Sequence, residues 1–137
     1  MRDKQEIPDG YELSTRMAGF SLYAGPFYRR EVDGQREFAL FIAAQHCNPE
    51  GFLHGGMVST FADYVMYQTI AGVLGEDSIS PTITMTVNFV SGAKLGQILR
   101  GVGTVTKQTR SLMFTQTELL VEDQLVAHAT GVYKIMR

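Results

Sequence analysis

Cysteine is nearly missing from this chain, which has Cys47 alone. That excludes an internal disulfide and any cysteine-rich zinc site. The three histidines, His46, His54 and His128, show no metal-ligand spacing. No metal or other cofactor is expected. Charge is also scarce: charged residues make up 19% of the sequence and the net charge is −2. So weak a field excludes recognition of nucleic acid or of a membrane surface by charge. The Gly-x-Ser-x-Gly turn of the α/β-hydrolases is absent, and the chain is short for that fold. The first residues, Met-Arg-Asp-Lys-Gln-Glu, include no apolar stretch suited to a signal peptide, so a cytoplasmic protein is the expectation. No repeat, linker or low-complexity segment appears. With 137 residues, 45% of them hydrophobic, the expectation is one domain around one core.

What the sequence does have is one dominant stretch. Asn48-Pro-Glu-Gly-Phe-Leu-His54-Gly55-Gly56-Met57 reads as a glycine-rich turn and runs into a helix ending at Gly72 or Gly75. Met57, Phe61, Tyr64, Val65 and Gln68 fall on one helical face, and Val58, Ala62, Met66, Ile70 and Val73 cover most of the rest. A helix apolar nearly all round must be enclosed. Its length would suit a membrane span, but Asp63 near its centre and Gln68 argue against lipid.

Strands account for most of the remainder. Residues 1–18 read as a polar tail, with room for one helical turn, ahead of a single domain over 19–137. Phe20 to Glu31 reads as a strand bent at Gly25-Pro26, because proline cannot donate to a ladder. Val32-Asp33-Gly34-Gln35 is a hairpin turn, and Glu37 to Ala44 is its return strand. Beyond the helix, Thr82, Thr84, Thr86 and Asn88 alternate with Ile83, Met85, Val87 and Phe89, giving one polar and one apolar face. After a loop at Ser91–Gly96, three strands follow at Gln97–Lys107, Ser111–Val121 and Gln124–Met136, with turns between them. The order ββαββββ with short turns gives an antiparallel sheet curled round one central helix, an α+β fold.

Two features carry chemistry. Asp63 is either satisfied by partners at a buried interface, or a base or nucleophile in an apolar site, where burial would raise its pKa. Gly55 and Gly56 open the helix. Their N–H groups lack helical acceptors, the helix dipole adds positive character, and no side chain obstructs a carbonyl oxygen. That makes an oxyanion hole, against the plainer reading of a tight entry to the helix. The two parts lie eight residues apart, about 12 Å along a helix axis, whereas a reacting carbonyl needs both within about 3.5 Å. Two antiparallel copies solve this, each helix start facing the other's aspartate, in a twofold dimer with two shared sites. Other residues read as structural. Cys47 is expected to be a buried thiol whose strand neighbour His46 points the other way. Gly101-Val-Gly103 is too small a fragment to signal phosphate binding. The threonines at 82–86 are most simply a strand's polar face.

The pattern Asn48-x-x-Gly51-x-x-His54-Gly55-Gly56-x6-Asp63, followed by the loop Ser91-Gly-Ala-Lys94-Leu-Gly96, resembles the hotdog-fold acyl-CoA thioesterases of the phenylacetic-acid-pathway type. The resemblance covers about residues 36–135. It implies a hotdog fold, a homodimer or a dimer of dimers, and metal-free hydrolysis of a thioester to a free acid and coenzyme A. It assigns Asp63 as the carboxylate that attacks the carbonyl or activates water, and Gly55 as the N–H donor to the thioester oxygen. Asn48 and His54 become the polar residues around that hole. Thr82 is the hydroxyl that orients water, with Thr84 as its same-face fallback. Around the substrate, Gly56 and Tyr64 would line the site. Lys94, Lys107 and Arg110 would meet the coenzyme's phosphates and Ser111 its pantetheine, although basic residues at turns are usually just solvated. The aromatics Tyr11, Phe20, Tyr23, Phe27, Tyr28, Phe61, Tyr64 and Tyr67 either line an acyl pocket or fill the core.

The leading function is hydrolysis of an aryl- or medium-chain acyl-CoA. A non-catalytic acyl-CoA-binding protein of the same fold is the alternative, and an intact Asp63 argues against it. The hotdog dehydratases use a differently placed His with Asp or Glu, an arrangement this chain lacks.

Overall fold

A computed structural model describes residues 9–14 and 18–136. Seven strands and two helices are present among them: β1 Glu12–Leu13, α1 Phe20–Ala24, β2 Phe27–Val32, β3 Gln35–Phe41, α2 Gly55–Leu74, β4 Thr82–Phe89, β5 Ile98–Gln108, β6 Leu112–Val121 and β7 Gln124–Lys134. The strands form one antiparallel sheet in the order β1-β2-β3-β5-β6-β7-β4. β4 and β1 are its edges. The long helix α2 lies against the concave side of this sheet, which is the hotdog arrangement. Phe61, Val65, Met66 and Ile70 of the helix are fully buried with Phe38, Leu40, Leu99, Met113, Leu119 and Tyr133 of the strands. Each such side chain contributes roughly 1.5–3 kcal/mol by leaving water.

The glycines of β5 explain how the helix comes so close. A Cβ on Gly101 would lie 2.8 Å from Leu119 and 2.9 Å from Val65. One on Gly103 would run into the Thr69 side chain. The Gly-x-Gly fragment therefore seats α2 on the sheet.

The N-terminal part differs from the sequence reading. The expected tail over 1–18 lies largely outside the described residues, and its described piece contains β1, paired with Arg29 and Tyr28 of β2. The stretch expected as one bent strand from Phe20 to Glu31 divides. Phe20–Ala24 is a short helix, and the strand starts at Phe27, directly after Pro26. The Val32–Gln35 turn forms as expected, with Asp33 and Gly34 at φ 52° and 79°, the paired positive φ angles of a type I′ hairpin. Gly75, at φ 118°, closes α2 and donates its N–H to the Ala71 carbonyl at 2.9 Å. His46 and Cys47 are not on a strand. Ala44–His46 is a 3₁₀ turn, and Cys47 is half-buried, its Sγ 3.5 Å from the Ala43 carbonyl. Burial pushes this thiol's pKa up. No helix among the described residues is long and apolar enough to cross a membrane.

Candidate active site

β4 does not run in perfect alternation. Thr84 to Phe89 pair with Val132 to Ala127 in unbroken register, but Thr82 pairs with Tyr133, one residue out of step. An extra residue of this kind flips the side chain beyond it to the other face of the sheet. Thr84 and Thr86 therefore face the outer surface, where they share a shallow groove with Phe114 and Thr130. Thr82 turns inward, toward the helix. The expectation that Thr82 and Thr84 share a face is wrong for this reason, and Thr84 drops out as a substitute for Thr82.

The inward turn brings Thr82 to Asp63. Its hydroxyl donates to Asp63 Oδ1 at 2.8 Å. The Tyr133 hydroxyl donates to the same oxygen at 2.7 Å and lies 3.3 Å from the Asp63 carbonyl. Among the described residues nothing bonds to Oδ2, and no cationic side chain pairs with Asp63. A cavity of about 430 Å³ opens beside the carboxylate, lined by Phe20, Phe27, Tyr64, Tyr67, Met85 and Thr82 among others. Tyr64 gives its ring to that wall, stacked on Phe27 at 4.2 Å, while its hydroxyl is bonded to Ser14. Burial raises the Tyr64 pKa, partly offset by that bond. Tyr133, fully buried, is shifted far above the usual tyrosine value, first by burial and then by the neighbouring Asp63 charge.

The other end of the site is the start of α2. His54 caps the helix, its Nδ1 accepting the Gly56 N–H at 2.8 Å. That donor is therefore occupied, and Gly56 offers space: a Cβ there would sit 3.0 Å from the His54 ring. The Gly55 N–H has no acceptor among the described residues. The Phe89 ring lies beside it, 3.4 Å from where a Gly55 Cβ would be. Asn48 holds the preceding turn, its Oδ1 accepting from Glu50 N at 3.1 Å and Phe52 N at 3.0 Å. Nothing brings Asn48 to Asp63. A second cavity, about 500 Å³, lies at this end between α1 and His46, His54, Gly56 and Met57. Phe20 and Thr60 line both cavities.

The expected coenzyme ligands do not gather within one chain. Lys94 lies at the Gly55 end, bridged through its backbone to Phe52, with Nζ 5.9 Å from that ring's centroid. Lys107, Arg110 and Ser111 lie at the opposite end, where Met113, Tyr133 and Thr82 form one row across β6, β7 and β4. All four are exposed. The sequence reading missed Tyr133. Its one signal is position: the preceding inward residues of β7 are Ala127, Ala129 and Gly131, and a bulky polar ring after three small residues is out of pattern.

The model of the thioesterase superfamily matches residues 50–128. A Pseudomonas aeruginosa protein described as an esterase is 30% identical over 131 residues, spanning 94% of this chain and 97% of that one. Human acyl-coenzyme A thioesterase 13 is 32% identical over 79 residues, covering 57% of this chain and 55% of that protein. A phenylacetic acid degradation-related protein of Ralstonia eutropha, described as a thioesterase, superposes with a TM-score of 0.71 at 26% identity, over 78% of this chain and 83% of that one. The chain belongs to the thioesterase superfamily, as a hotdog-fold thioester hydrolase.

Proposed function

We propose that this protein hydrolyses an aryl- or medium-chain acyl-CoA to the free acid and coenzyme A, in a site shared by two copies of the chain. One observation carries the reading: among the described residues Asp63 is tied through one oxygen, Oδ1, and it lines an aromatic-walled cavity. Oδ2 acts as base on a water or attacks the thioester carbon itself. The carbonyl oxygen gains charge as the tetrahedral centre forms, and the Gly55 N–H at the positive end of α2 stabilises it. The C–S bond then breaks and the thiolate takes a proton to leave as coenzyme A. In the first case it is the proton that Oδ2 drew from the water. In the second it is one released when water hydrolyses the Asp63 anhydride to the free acid and restores the carboxylate. Phe20, Phe27, Tyr67 and Met85 suit a ring or a chain of moderate length.

Asp63 and Gly55 are both on α2, eight residues or about 12 Å apart. β4 runs beside both, with Thr82 at Asp63 and Phe89 at Gly55. It is also an open sheet edge carrying exposed Ile83 and Phe89, with exposed Val90 directly after it, the kind of edge that pairs with another chain. Antiparallel pairing of two β4 edges sets the Phe89 end of one copy against the Thr82 end of the other. The Gly55 of one copy then faces the Asp63 of its twin. The same pairing brings Lys94 of one copy toward Lys107, Arg110 and Ser111 of the other, a basic rim for the coenzyme's phosphates.

The test is thiol release from a panel of aryl- and acyl-CoA esters by the wild type and Asp63→Asn. The variant is expected to fold and dimerise and to lose about 10³-fold in kcat. Near-normal turnover would sink the reading, as would a monomer that still cleaves its ester.

A further inference from the structure

We propose that Tyr133 is a positioning residue for this hydrolysis: from a fully buried ring it fixes the Asp63 carboxylate so that Oδ2 is the oxygen presented to the substrate. The inference rests on the reading of Asp63 as the reacting carboxylate, and it adds a residue to which that reading gives no role.

The terminal torsion of an aspartate is broad. Held by one donor, Asp63 could offer either oxygen to the cavity. Two donors on Oδ1, Thr82 from β4 and Tyr133 from β7, remove that freedom. The register slip that turns Thr82 inward sets it directly opposite Tyr133, so both donors stand on one row and converge on one atom. The chain also makes room for the ring. A Cβ on Gly131 would lie 2.8 Å from Tyr133 Cε2 and 3.2 Å from Met66. Packing alone does not account for the hydroxyl, since a phenylalanine would fill the space without burying a polar group that needs a partner. Tyr133 also keeps its proton, because burial and the Asp63 charge hold its ionisation far above the normal range. It is a donor at every working pH.

Among the described residues, the surroundings supply no other way to hold the Asp63 charge. The cavity adds Ser59, Thr60, Tyr64 and Tyr67 from α2, Ser21 from α1 and Met85 from β4. None is cationic.

Tyr133→Phe is measured beside the wild type for kcat and KM, with thermal unfolding as the check on folding. kcat is expected to fall about 10- to 100-fold, as for a lost hydrogen bond to a charged group. KM should change by less than about threefold, because a group that touches only Asp63 does not set ground-state binding. In an Asp63→Asn background the same change should cost no further activity, since the group it positions is gone. A folded Tyr133→Phe with wild-type kcat overturns the proposal, even if its melting temperature drops. If Asp63→Asn is inactive at the same time, only this inference has failed. If Asp63→Asn is active, the parent reading has failed. Should Tyr133→Phe not fold, Gly131→Ala keeps the hydroxyl and crowds the ring. A fall in kcat with KM held in Gly131→Ala, and no such fall in the Asp63→Asn background, then supports the proposal, and an unchanged kcat overturns it.

Discussion

Asp63 and Glu37 are both carboxylates held by a tyrosine hydroxyl at 2.7 Å, from Tyr133 in one case and Tyr11 in the other. Past that shared bond they differ in every respect. Glu37 also accepts from Arg30 Nε and Nη2 at 3.1 and 3.0 Å, and Arg100 stands 3.4 Å from its other oxygen. Both oxygens are engaged and the charge is neutralised. Among the described residues Asp63 accepts only from neutral hydroxyls, on one oxygen, beside a cavity. An ion pair closed on all sides fastens β2, β3 and β5 together and leaves nothing to react. A carboxylate held in place by hydroxyls alone keeps its access. On the proposed function, the guanidinium is what separates the structural carboxylate from the reacting one.

Exchanging the two carboxylates for amides tests this most sharply. Asp63→Asn is expected to lose about 10³-fold in kcat with little change in stability. Glu37→Gln should keep kcat per folded molecule within about twofold. Equal losses in the two variants would end the distinction. Removing one donor comes next. Thr82→Val keeps the shape of β4 and deletes a hydrogen bond to a charged oxygen. Turnover should fall about 10-fold, since such bonds contribute roughly 1.5–3 kcal/mol and Tyr133 retains part of the effect. A Thr82→Val enzyme with wild-type turnover would mean that the register slip in β4 has no catalytic purpose.

The legibility of this molecule follows the range of its interactions. The helix start at Gly55, the type I′ hairpin and the later strands could be read because each is set by neighbours within a few residues. Asp63 stood out as a charge on an otherwise apolar helix. Three features did not show. The β4 slip leaves its residues looking like perfect alternation, because only the partner strand reveals that Thr82 pairs with Tyr133 and not with its neighbour. Tyr133 lies 70 residues from Asp63, a distance at which spacing has no meaning. The helix at Phe20–Ala24 looked like a strand because five residues carry too little periodicity to distinguish the two, and its C-terminal end is fastened by His46, whose Nε2 lies 2.5 Å from the Ala24 carbonyl. Those are tertiary facts, and two of the three concern the site.

The closed carboxylate makes the smaller predictions, in stability. Glu37→Gln keeps an acceptor but leaves Arg30 and Arg100 without a counter-charge, and is expected to cost about 1–2 kcal/mol in urea unfolding. The pH dependence of that cost follows from the direction of the Glu37 shift. Burial by itself would raise its pKa. The bonds from Tyr11 and Arg30 and the charges of Arg30 and Arg100 outweigh burial, and the net shift is downward from 4.5. A carboxylate with a depressed folded pKa contributes its full stability above the unfolded value and loses it as pH falls through the folded one. The difference between wild type and Glu37→Gln should therefore be constant from about pH 7 to 5. Below about pH 4.3, the ordinary glutamate value, it should begin to shrink. If the Glu37→Gln difference instead grew as the solution was acidified, the arginines would not be what holds Glu37 ionised, and the contrast between the two carboxylates would lose its electrostatic basis.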